Sequence, residues 1–236
     1  MRNIWVYVVG GMVAIGAIAS IMSVIGDNES SQNSAQKPVV TATPNAAPVK
    51  VEAPKPDASF DKVEITKDDF VLGKETAPVT LVEYASLTCP HCAQFHQNTL
   101  PAVKKEYIDT GKVKLVYRNF PLDQLALSGS MIARCAGRDR YFAFIDVMFA
   151  QQATWARDPN PLAALSRIAR LGGMSQAKFD ECIKDKKIAD AVVQQRLDGD
   201  KKFGINATPT VIINGKRYSG GLTIEQFRAV VAPLLK

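Results

Sequence analysis

The sequence predicts an α/β domain interrupted by a long helical insertion, and three observations carry that prediction. An apolar strand pattern at 78–86 runs directly into a helical stretch, and a second strand pattern follows at 112–117. Helical periodicity then dominates 123–203, before a hairpin and a closing helix complete the chain.

The totals allow one full-sized domain with extra segments. In 236 residues, 47% hydrophobic and 22% charged side chains are ordinary for a globular protein with a buried core. Lys and Arg number 29 against 23 Asp and Glu, a net charge of +6. Basic and acidic residues balance up to residue 62, so the excess is spread over 63–236 without a basic block. That distribution argues against a nucleic-acid partner and for a solvated, slightly basic surface.

Residues 4–25 carry no charged side chain and would extend about 33 Å as a helix, the thickness of a bilayer's hydrocarbon core. The segment 1–26 reads as a transmembrane anchor or a signal peptide. Ala17, Ile18 and Ala19 offer a cleavage site for the second reading. Arg2 is the one charge before it, which favours a cytoplasmic N-terminus and export of the rest of the chain. From 27 to 59, prolines 38, 44, 48, 54 and 56 stand among small and polar residues, with no aromatic side chain. Such a stretch has too little apolar surface to repay the entropy of folding, and we expect a disordered Pro/Ala-rich linker before a domain at 60–236.

Within that domain, Pro78 to Ser86 reads as a buried strand, followed by CPHC and a helix to about Tyr107. Lys112 to Tyr117 reads as the next strand. Loops break the helical insertion at 158–161 and at Gly172 and Gly173. Asn214 and Gly215 between two short β patterns signal a type I′ hairpin. Thr223 and Gln226 have capping-box spacing, and Ile224, Phe227, Val231 and Leu234 fall on one face of the last helix.

Cys89 and Cys92 carry the chemistry. Two cysteines three positions apart at a helix start lie on one turn, within reach of a disulfide. Half of a zinc site has the same spacing, but it needs two further ligands. Cys135, Cys182, His91 and His96 form no second compact pair, so no metal is expected, and a redox pair is favoured over a structural disulfide. Unpaired N–H groups and the positive end of the helix dipole stabilise a thiolate, which we expect at Cys89. Pro90 suits the first helical position. Cys92, further in, is the expected resolving thiol. His91, between them, is placed to tune the anion through its imidazole, whereas His96 reads as a solvated helix side chain.

The run Glu83-Tyr84-Ala85-Ser86-Leu87-Thr88-Cys89-Pro90-His91-Cys92, with Thr208-Pro209 downstream, resembles the bacterial DsbA-type disulfide oxidoreductases over roughly 63–236. The resemblance implies a thioredoxin fold interrupted by a helical insertion. It also implies Cys89 as attacking thiol, Cys92 as resolving thiol, and Pro209 as a cis-proline facing them. A cis bond there would offer the Thr208 backbone to an extended substrate, while a trans proline that merely starts a strand is the plain alternative. In this family an acidic residue six positions before the first cysteine lies beneath the disulfide and assists proton transfer, which matches Glu83. An exposed edge-strand glutamate is the plain alternative. Cys135 and Cys182 are either two isolated thiols or a second, non-catalytic disulfide, which export would permit.

The function so implied is that of an exported, monomeric dithiol oxidase without a cofactor. Its partners would be reduced or unfolded exported proteins and a membrane protein that reoxidises it, in the periplasm or tethered to the inner membrane. The alternatives are an isomerase or reductase of the same fold, and a binding or chaperone module with structural cysteines.

Overall fold

The computed structural model describes residues 51–236, and the first strands in it are two the sequence did not announce. β1 (Ala58–Ser59) and β2 (Phe70–Leu72) precede β3 (Val79–Ala85), the predicted apolar strand. A helical rod comes next: α1 (Pro90–Gln94), a π turn, α2 (Leu100–Val103) and a second π turn ending at Ile108. The first π turn, Phe95–Thr99, comes just before Pro101, whose missing N–H and bulky ring a regular α-helix cannot accommodate. β4 (Val113–Asn119) completes the first half. The insertion is a set of six helices: α3 (Gln124–Cys135), α4 (Arg138–Ala150), α5 (Gln152–Trp155), α6 (Pro161–Leu171), α7 (Gln176–Cys182) and α8 (Lys186–Phe203). The hairpin β5 (Thr210–Ile213) and β6 (Lys216–Ser219) leads to α9 (Ile224–Val231).

The six strands form one sheet in the order β1-β6-β5-β3-β4-β2, with β3 and β4 parallel and every other pair antiparallel. β3 is therefore central, and its residues alternate between two covered faces. Val79 and Leu81 pack with Phe95, Leu100, Val103 and Phe227 beneath the rod and α9. Val82 and Tyr84 face the other way, with Val116, Ile205 and Ile212. Glu83 has the parity of Val79 and Leu81, and this places a carboxylate under the rod that carries the cysteines.

Two boundaries differ from the sequence reading. Ala58 and Ser59, expected as the end of the linker, pair with Arg217 and Lys216 of β6, and Arg217 Nε holds Asp57 Oδ1 at 2.8 Å. The last helix ends at Val231 and tightens into a 3₁₀ turn at Ala232–Leu235, where Pro233 removes a helical donor, so Leu234 is only partly buried. The hairpin turn has positive φ at both Asn214 and Gly215, as type I′ requires. Thr223 and Gln226 make both bonds of a capping box. The apolar segment 4–25 and the linker up to residue 50 lie outside the described residues. Among the described residues no helix is long and apolar enough to cross a membrane.

Candidate active site

Cys89 is the N-cap of α1, in extended conformation with φ −78° and ψ 118°, and Pro90 takes the first helical position. Cys89 keeps 7% of its surface exposed, whereas Cys92 is fully buried one turn further in. The two thiols are driven apart. Hydrogen bonding from the Cys92 thiol is the main influence lowering the Cys89 pKa to about 5; burial opposes it, and the Cys92 and His91 amides add to it. Cys92 is pushed well above the ordinary thiol range, first by burial, then by its bond to Cys89 and the charge of Glu83. One sulfur is thus an anion near neutrality while the other keeps its proton.

The peptide bond Thr208-Pro209 is cis, and the Thr208 carbonyl lies 3.2 Å from Cys89 Sγ. His91 departs from expectation. Its imidazole lies at the surface with Nδ1 3.4 Å from Gln94 Oε1, and what residue 91 gives to the sulfur is its backbone amide. Glu83 has no exposed surface, so the edge-strand alternative falls with the central position of β3. Its two carboxylate oxygens each lie 3.0 Å from His96 Nε2.

His96 is the clearest correction to the sequence reading: it is buried, not solvated, and stacks on Phe149 of α4 with ring centroids 4.0 Å apart. Its position four residues after Cys92 puts both on one helical face, a signal that was available in the sequence. Other residues of the insertion hold the loop before the cysteines. Asp123, the N-cap of α3, accepts from Ala126 N at 2.7 Å and from Thr88 Oγ1 at 2.6 Å. Gln152 Nε2 donates to the carbonyls of Leu87 and Cys89 at 2.8 and 2.9 Å. At Gly129 of α3 an added Cβ would lie 2.9 Å from Leu87 Cδ1, which shows how closely that helix packs on the loop.

Cys135 and Cys182 are bonded to each other, with Cα atoms 5.9 Å apart, and join the ends of α3 and α7. No group of three or more His, Cys, Asp or Glu side chains suited to a metal ion occurs among the described residues.

A helix-tip thiolate paired with a buried, protonated thiol, on a sheet of thioredoxin type, is the equipment of a thiol–disulfide oxidoreductase. Comparison with known proteins agrees. A family profile described as thioredoxin matches residues 65–232. A Rickettsia prowazekii protein named as a protein-disulfide oxidoreductase is 34% identical over 197 residues, covering 80% of this chain and 72% of its own length. Its counterpart in Rickettsia typhi is 35% identical over 153 residues, 64% of this chain, and this chain spans only 57% of that relative. The crystal structure of Wolbachia pipientis alpha-DsbA1 superposes with a TM-score of 0.69 at 36% identity, covering 72% of this chain and 92% of that one. The chain belongs to the thioredoxin family, among its DsbA-like protein-disulfide oxidoreductases.

Proposed function

We propose that this chain is an exported dithiol oxidase that introduces disulfides into reduced proteins. The single observation that carries the direction of transfer is the contrast between Cys89, with a pKa of about 5, and the protonated Cys92. Relative to an ordinary thiol near 8.5, such a thiolate stabilises the reduced enzyme at pH 7 by about 2.7 kcal/mol, which raises the potential by about 60 mV.

In the reaction, a substrate thiolate attacks Cys89 Sγ of the oxidised enzyme, the enzyme S–S bond breaks, and Cys92 leaves with the electron pair and takes up a proton. A second substrate thiolate then attacks the substrate sulfur of the mixed disulfide. The substrate gains its S–S bond, and Cys89 departs as a stabilised thiolate. Two electrons have moved to the enzyme. Reoxidation by a membrane partner runs the same steps in reverse, with Cys89 attacking the partner's disulfide and Cys92 expelling the partner's thiolate.

A groove of about 500 Å³ lined by His91, Phe95, Thr208, Pro209, Leu222 and Ile224 supports binding of an extended apolar segment beside Cys89. The Thr208 backbone is the expected pairing edge for it. The bonded Cys135 and Cys182 suit an oxidising compartment. With 1–26 as anchor or signal and the Pro/Ala-rich stretch from 27 up to β1 as spacer, the domain would work in the periplasm, as a monomer, free or tethered.

The test is the equilibrium potential against glutathione as a function of pH. We expect a value well above the about −270 mV of thioredoxin. Its slope should change from about −59 to about −30 mV per pH unit as pH rises through the Cys89 pKa, because reduction then takes up one proton instead of two. A potential near that of thioredoxin would assign the chain to the reductases.

A further inference from the structure

Cys92 must lose its proton to resolve a mixed disulfide, and must regain one after leaving. At that moment a bound protein covers the groove beside Cys89, and neither Cys92 nor Glu83 has any surface of its own. The proton needs another way out.

The groups behind Glu83 supply one. His96 Nε2 bridges both carboxylate oxygens at 3.0 Å, while the opposite ring nitrogen, Nδ1, is buried with no hydrogen-bond partner. Nδ1 lies 4.0 Å from Oδ1 of Asp146 on α4, whose side chain is 43% exposed and whose Oδ2 is held by Lys104 Nζ at 3.0 Å. These residues open on a cavity of about 480 Å³ lined by His96, Lys104, Lys105, Asp109, Asp146 and Phe149. It shares no lining residue with the groove beside Cys89. An orphaned buried nitrogen costs about 1–3 kcal/mol, and 4.0 Å is a gap that one water closes. Tyr117 is the other titratable group against the ring, at 5.9 Å between centroids; burial raises its pKa, so it keeps its proton.

We propose that Glu83, His96 and Asp146 form a proton relay between Cys92 and this second cavity. On resolution, the His96 Nδ1 proton passes through a water to Asp146 and solvent, the proton shared by Glu83 and Nε2 moves onto Nε2, and Glu83 takes the proton of Cys92. Glu83 and His96 together end with the same number of protons, and the imidazole has changed tautomer. When Cys92 next leaves as a thiolate, the same steps run backwards. One proton leaves and one enters per catalytic cycle, so the ring is reset without having to turn in its buried site. His96 and Asp146 act through Glu83 and touch no substrate.

The relay rests on Cys92 being the resolving thiol, and one experiment separates the two claims. Reduced protein mixed with one equivalent of Ellman's disulfide releases one thionitrobenzoate when Cys89 attacks, and a second when Cys92 resolves the adduct. Only the second release needs the relay. In Asp146→Asn, a surface change, and in His96→Gln, we expect the first release at the parental rate and the second slowed about tenfold or more. Added imidazole should restore the second release in His96→Ala. An unchanged second release in either of the first two variants overturns the relay, and so does equal slowing of both releases. A parental protein that releases a single equivalent overturns the role of Cys92 itself, and the relay with it.

Discussion

Three residues separate Cys89 from Cys92, yet the helix tip and the interior one turn below it drive identical side chains in opposite directions. At the tip, the Cys92 thiol and two amides converge on the sulfur, and an anion is favoured. Below, burial and the charge of Glu83 hold the proton in place. The contrast shows that the surroundings, not the residue type, divide attack from resolution.

The largest expected effect that would break this comparison is on the stability of the reduced protein. The folded-state pKa of Cys89 is lowered to about 5, so its contribution is fully present above the unfolded value near 8.5 and is lost as pH falls through about 5. Between pH 8.5 and pH 4 the reduced form should lose about 4 kcal/mol relative to the oxidised form, which has no thiolate. Urea unfolding of both forms from pH 4 to 8.5 measures it. A difference that stays flat with pH would remove the helix-tip anion.

A second comparison sets the redox pair against the bonded pair in the insertion. Cys135 and Cys182 close a loop of 47 residues, for which chain entropy predicts a stabilisation of about 4 kcal/mol. Cys135→Ala with Cys182→Ala should therefore lower the unfolding free energy by up to that amount and leave the potential of Cys89/Cys92 unmoved. A shifted potential would mean that the two pairs are coupled through α3, which packs on the loop before Cys89.

What could be read from the letters alone was local. β3, the hairpin at Asn214 and Gly215, the capping box at Thr223 and the cysteine pair all announce themselves within a few residues. β1 and β2 did not, because two and three residues become strands only by pairing with β6 and β4, far along the chain. His96 was half legible: its spacing from Cys92 gives the helical face, but its burial depends on Phe149, a residue of the insertion. Gln152 was not legible at all, since nothing near it in sequence marks a polar side chain that crosses to the carbonyls of Leu87 and Cys89.

Gln152 also gives the smallest and most discriminating test of how the tip is held. It is 7% exposed and donates to two carbonyls of the loop that presents Cys89. The Cys89 carbonyl has a second donor, Ala93 N at 3.2 Å, so Gln152→Leu leaves chiefly the Leu87 carbonyl without a partner. One buried acceptor left unsatisfied costs about 1–3 kcal/mol. Because both carbonyls are present whatever the state of the sulfurs, the loss should be equal in the oxidised and reduced proteins. Differential unfolding of the two forms at pH 7 checks this. A loss confined to the reduced protein would show that Gln152 acts on the thiolate, and the division between backbone support and sulfur electrostatics at the helix tip would have to be redrawn.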